Sequence, residues 1–176
     1  MKISASIYSS HNKDLTALVK ELDAYRIDYL HIDCNDDISV FDDISKIRET
    51  SNTPIDLHLI TSKPEKYYKL IQEHNVEMVT FQYENLDKIP QIPDNTKTKY
   101  GLAIVSETEV EVFDEINGKF SFILFMATTP GKSGGVFNRE TFRKIRKFRA
   151  KYPSKKIHID GGINEELSFI LRNMGV

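Results

Sequence analysis

A single cysteine, no apolar run of membrane-spanning length and no surplus of charge of either sign narrow what this 176-residue chain can be. Cys34 has no second thiol to pair with, which excludes an intramolecular disulfide, a dithiol redox motif and a zinc ribbon. Packing must therefore hold the fold, and a reducing cytoplasm is the expected location. No apolar stretch approaches the roughly 20 residues of a helical span, and the opening Met1-Lys-Ile-Ser-Ala-Ser-Ile7 gives way to polar residues without the shape of a signal peptide. Association with a membrane is not expected. The 24 basic and 26 acidic residues are interspersed and leave a formal charge of -2, so there is no electrostatic footprint for nucleic acid or anionic lipid. The densest basic cluster, Arg143, Lys144, Arg146 and Lys147, is expected to form a solvated helix face. Internal repeats, linkers and low-complexity tracts are also lacking, which leaves one domain as the expectation for residues 1–176.

Apolar residues, at 40% of the chain, are sufficient for a sizeable core, and they fall into short β-rich runs alternating with helix-like stretches. That alternation predicts an α/β fold with parallel strands joined by crossover helices. Strands are expected near residues 2–7, 28–33, 55–60, 78–81, 99–104, 120–125 and 156–160, and helices near 13–25, 40–49, 64–73, 107–116, 139–151 and 165–173. Leu15, Leu18, Val19 and Leu22 recur at helical spacing and supply a core-facing stripe. Ser62 before Pro64, Asn138 and Asn164 are candidate helix caps. Pro90, Pro93, Asp94 and Asn95 break the pattern, so the fourth crossover is expected to lack a long helix.

Four polar residues stand in or close three separate strand-like runs: His31 and Asp33 in Tyr29-Leu-His31-Ile-Asp33, His58 in Ile55-Asp-Leu-His58, and Asp160 in Ile157-His-Ile-Asp160. In a parallel α/β barrel the strand ends share one face, so groups distant in sequence can be aimed at one point. Two imidazoles and two carboxylates there suit one divalent metal. His31 and Asp33 are two apart and share a strand face. His158 shares a face with Asp160 and is a weaker candidate ligand, whereas His11 and His74 have no evident partners.

Together with these residues, several pieces resemble the ribulose-phosphate 3-epimerase family, and they occur in family order. They are Ile3-Ser-Ala-Ser6-Ile7-Tyr-Ser9, His31-Ile-Asp33, Asp56-Leu-His58-Leu, Met126-Ala-Thr-Thr-Pro130-Gly131-Lys-Ser-Gly134 and Asp160-Gly161-Gly162-Ile163-Asn164. The resemblance implies a (β/α)8 TIM-type barrel that interconverts D-ribulose 5-phosphate and D-xylulose 5-phosphate. It implies that His31, Asp33, His58 and Asp160 are metal ligands, that Asp33 and Asp160 are also the acid/base pair, and that Ser6, His58 and Met126 face the substrate. Inverting C3 beside a ketone requires a proton to leave one face and another to arrive on the other, a task for two carboxylates. A divalent cation would stabilise the enediolate, and zinc, manganese or iron(II) all suit mixed nitrogen and oxygen donors. Gly131, Gly134, Gly161 and Gly162 could bring backbone N–H groups to the sugar phosphate, although turn conformation alone can also require glycine.

The chain departs from the family pattern at several places. The loop after the second strand reads Asp33-Cys-Asn35-Asp36-Asp37, without the family's glycine-containing run. Gln82 replaces a histidine after the fourth strand while Glu84 remains, Asn35 and Ile60 replace methionines, Thr129 replaces an asparagine, and Lys132 and Ser133 replace Phe-Gly. The sequence reaches Val176 where an eighth strand would begin, so the expected barrel is truncated before that strand, and either another subunit, as in a homo-oligomer, or a rearranged terminal helix is expected to cover the gap between the first and seventh strands. A family member that binds metal or sugar phosphate without turnover is the alternative reading.

Overall fold

The computed structural model describes residues 1–9, 14–94, 96–114, 116, 118–130 and 135–176. Seven strands run parallel in sequential order: β1 (Ser4–Ser6), β2 (Tyr29–Cys34), β3 (Ile55–Leu59), β4 (Met78–Gln82), β5 (Lys99–Ile104), β6 (Phe122–Met126) and β7 (Lys156–Asp160). Their crossovers carry α1 (Leu15–Ala24), α2 (Val40–Thr50), α3 (Tyr68–Glu73) and α4 (Glu140–Lys151), and α5 (Glu165–Asn173) follows β7. The sheet curls strongly. His31 Nε2 on β2 lies 3.9 Å from Asp160 Oδ2 on β7, although four strands separate them in the ladder. The result is an open (β/α)8-type barrel in which, among the described residues, β1 and β7 are the sheet edges.

Alternation along each strand sorts side chains into two layers. Leu30, Ile32, Leu57, Leu59, Phe81, Leu102 and Phe125 face the helices and join one buried cluster with Val19, Ile44, Ile71, Ile145 and Phe148. Inside the barrel, Ala103, Leu124 and Met126 form a separate small apolar cluster, and Phe122 stacks on His158 with ring centroids 4.2 Å apart. Gly101 makes that interior possible, because a Cβ there would overlap the Phe122 ring.

The helix caps form partly as expected. Asn164 accepts from Leu167 N at 2.9 Å and starts α5. Asn138 lies one residue before the Arg139 cap position and accepts from Glu140 N at 3.0 Å. Ser62 does not cap its helix. Lys63 occupies that position, and Pro64–Tyr67 forms a tighter 3-10 turn before α3. Among its described residues the fourth crossover holds only a 3-10 turn at Tyr83–Asn85, as its prolines imply.

Two expectations are corrected. The stretch 107–116 contains, among its described residues, a 3-10 turn at Val110–Phe113 in place of a long helix. Its buried apolar residues Val110 and Phe113 are three apart, a spacing that one tight turn satisfies. The basic cluster on α4 is not wholly a solvated face, because Lys144 is buried and its Nζ donates to the Val105 and Thr108 carbonyls. Lys147 instead pairs with Glu109 and Glu111. No helix among the described residues is long and apolar enough to cross a membrane.

Gly101→Ala is expected to lower stability by about 1–3 kcal/mol through overpacking. Denaturant unfolding should show Phe122→Leu recovering much of that loss in the double variant, because the two positions share one space.

Candidate active site

Parallel register places His31 beside Asp56 and Asp33 beside His58. All four side chains point to the same face of the sheet because they alternate with Ile32 and Leu57, which face the helices. His31 Nδ1 lies 3.1 Å from Asp56 Oδ2, which also accepts from Ser4 Oγ at 2.8 Å. Ionised Asp56 can only accept, so it fixes the proton on His31 Nδ1 and leaves Nε2 directed into the barrel mouth. There Nε2 sits 3.4 Å from Asp33 Oδ1 and 3.9 Å from Asp160 Oδ2, buried and without a hydrogen-bond partner. His58 is fully buried, with Nδ1 3.1 Å from the same Asp33 Oδ1 and Nε2 2.8 Å from Gln82 Oε1.

His31, Asp33 and His58 each offer a ligand atom, and these atoms lie within 4.8 Å of one another. Metal–ligand bonds of about 2.1 Å put neighbouring ligand atoms roughly 3.0–3.5 Å apart, which matches the 3.1 and 3.4 Å spacings around Asp33 Oδ1. The donor set and the partnerless His31 Nε2 therefore fit a divalent cation. Asp160, more exposed at the end of β7, stands outside that trio, with Oδ2 3.9 Å from His31 Nε2.

The electrostatics point the same way. Burial opposes protonation of His31, but the carboxylates of Asp56, Asp33 and Asp160 outweigh it and raise its pKa well above the ordinary value. Burial also opposes ionisation of Asp33, yet the His31 imidazole beside it holds it well below the usual carboxylate range. Asp56 is lowered against its own burial by His31. The site thus holds positive charge at the point where a cation would sit.

The other expected residues divide into three groups. Ser6 pairs in register with His31, and Met126 with Asp160, so both lie beside the cluster. Gly161 and Gly162 follow Asp160 with φ of +104° and +65°; a Cβ on Gly161 would overlap Thr128, and one on Gly162 would come 2.7 Å from Phe137 N. Their backbone conformation by itself requires glycine. Gly131, Gly134, Lys132, Ser133 and His11 lie outside the described residues. His158 stacks on Phe122 and is not brought into the cluster, and burial lowers its pKa. Reading the sequence did not single out Asp56 or Ser4; the signal for Asp56 was its place two residues before His58, which puts both on one face. A surface cavity of about 430 Å³ lined by Asp36, Asp37, Ile38, Lys66 and Tyr67 shares no residue with the cluster.

The model of the ribulose-phosphate 3 epimerase family matches residues 2–176. The chain belongs to the ribulose-phosphate 3-epimerase family. Its relatives include the ribulose-phosphate 3-epimerase of Schizosaccharomyces pombe, 27% identical over 93% of this chain and 77% of the relative. The Bacillus subtilis enzyme of the same name is 24% identical over 99% of this chain and 87% of its own length. The cytoplasmic isoform from Oryza sativa is 29% identical over 92% and 77%, respectively. Membership places the chain among the isomerases.

The raised His31 pKa has a definite sign. In metal-free protein, the stability it contributes is fully present below an unfolded pKa of about 6.5 and is lost as pH rises through the folded value. A cation competes with that proton, so zinc affinity should rise with pH and binding should release protons. Calorimetry in buffers of different ionisation heat should detect the release, with His31→Ala losing more than about 100-fold in affinity. Binding that is independent of pH and of His31 would contradict this site.

Proposed function

We propose that this protein interconverts D-ribulose 5-phosphate and D-xylulose 5-phosphate, with Asp33 and Asp160 as the acid/base pair. The supporting observation is that these two carboxylates, from strands at nearly opposite ends of the ladder, both approach His31 Nε2, at 3.4 and 3.9 Å. A substrate carbon between them would be open to proton removal by one carboxylate and proton delivery by the other, as inversion at C3 demands. Asp33, kept ionised beside His31, is in the charge state that a base requires.

His31, Asp33, His58 and Asp160 would hold the divalent cation, with zinc, manganese and iron(II) all compatible with the donors. When bound, the cation supplies positive charge that stabilises the enediolate oxygens. Ser6, beside His31 in register, would hydrogen-bond a sugar hydroxyl. Met126, buried beside Asp160, gives that carboxylate an apolar neighbour that limits water. The backbone at Gly161 and Gly162, leading into the N-terminus of α5, is the proposed phosphate contact.

Incubation with D-ribulose 5-phosphate in deuterated water should give exchange at C3. Asp33→Asn and Asp160→Asn should each reduce the rate by about 10²–10⁴-fold. Exchange undiminished in both variants would reject the assigned roles, and cation binding without any exchange in the parent protein would select the non-catalytic alternative.

A further inference from the structure

Gln82 ends β4, two residues beyond Thr80, which is the register partner of His58, and the Gln82 and His58 side chains are both fully buried. Its partners determine its orientation. Glu84 Oε1 accepts from Val105 N at 3.0 Å and from Thr108 Oγ1, while Glu84 Oε2 accepts from Gln82 Nε2. An ionised carboxylate has no proton to give, so the Gln82 group facing it must be the NH2. The Gln82 carbonyl oxygen then faces His58 Nε2 at 2.8 Å and can only accept, which puts the imidazole proton on Nε2. An imidazole with its one proton on Nε2 has its lone pair on Nδ1, here pointing at Asp33 Oδ1 only 3.1 Å away. Two acceptors at that distance repel unless positive charge lies between them.

We propose that Gln82, oriented by Glu84, is a positioning residue that fixes His58 in the Nε2–H tautomer and so presents Nδ1 to the cation. The inference rests on the cation site proposed above and extends it to two residues that touch neither substrate nor metal. It also explains an asymmetry within the site. Asp56 accepts the Nδ1 proton of His31 and presents Nε2, whereas Gln82 accepts the Nε2 proton of His58 and presents Nδ1, so rings on neighbouring strands turn opposite nitrogens toward one point. At position 82 the requirement is for a group that donates to Glu84 on one side and accepts from His58 on the other. Glutamine does this, and so does a neutral histidine, whereas methionine fills similar space and does neither.

The test combines nitrogen-15 NMR of the histidine rings in metal-free protein at alkaline pH with zinc titration of the same samples. The expected result is a single Nε2–H tautomer for His58 in the parent protein and mixed tautomers in Gln82→Met, with zinc affinity about 10–100-fold weaker in that variant. Gln82→His should restore both the single tautomer and the affinity. Glu84→Gln, which lets the position-82 amide turn either way, should shift both readouts in the same direction as Gln82→Met. An Nδ1–H tautomer in the parent protein, or Gln82→Met with parental tautomer and affinity, would overturn the proposal. C3 exchange is not among these readouts, so loss of the epimerase reading and loss of this one are separable.

Discussion

Strands β2 and β3 lie in parallel register with His31 opposite Asp56 and Asp33 opposite His58, so each imidazole meets a carboxylate across the ladder. The alternation His-x-Asp against Asp-x-His makes this register self-selecting. A slip of one residue would turn the polar set of one strand toward the helices, where Ile32 and Leu57 now pack. A slip of two would set imidazole against imidazole or carboxylate against carboxylate in a buried layer, where an unpaired charge is costly. The charge pattern that builds the site therefore also helps to specify the pairing of the strands that carry it.

Curling of the sheet supplies what two strands alone cannot. Asp160 comes from β7, brought within 3.9 Å of His31 Nε2 by closure around an interior of Ala103, Leu124, Met126 and the stacked Phe122 and His158. Gly101 leaves the room that Phe122 occupies. Around this frame a layer of acceptors, Asp56 on one side and Gln82 backed by Glu84 on the other, orients the imidazoles from behind. The rings are held by groups fixed on the sheet, which suits the proposed transfer of protons between two carboxylates.

Much of this was legible in the sequence because strand alternation is a local signal. The strand-and-helix order, the end of α5 and the four polar residues His31, Asp33, His58 and Asp160 could be placed from period and motif alone. The outer acceptors could not, because the partner of a histidine depends on register between strands, which no local pattern states. Asp56 was visible only as part of a motif, and Gln82 only as a departure from a family residue. The segment 107–116 misled because its buried apolar residues Val110, Phe113 and Ile116 recur every three positions, a spacing compatible with a helix and equally with the 3-10 turn that forms at Val110–Phe113. Lys144 misled for the complementary reason: among solvated cations its charge looked redundant, yet the carbonyls of Val105 and Thr108 give it a buried place.

The most direct test of a cation held by these strand-end residues is X-ray absorption spectroscopy at the metal edge of the zinc-loaded protein. Two imidazole rings with oxygen donors and no sulfur are predicted, falling to one imidazole in His58→Ala. A shell with no imidazole, or one unchanged by that substitution, would contradict it.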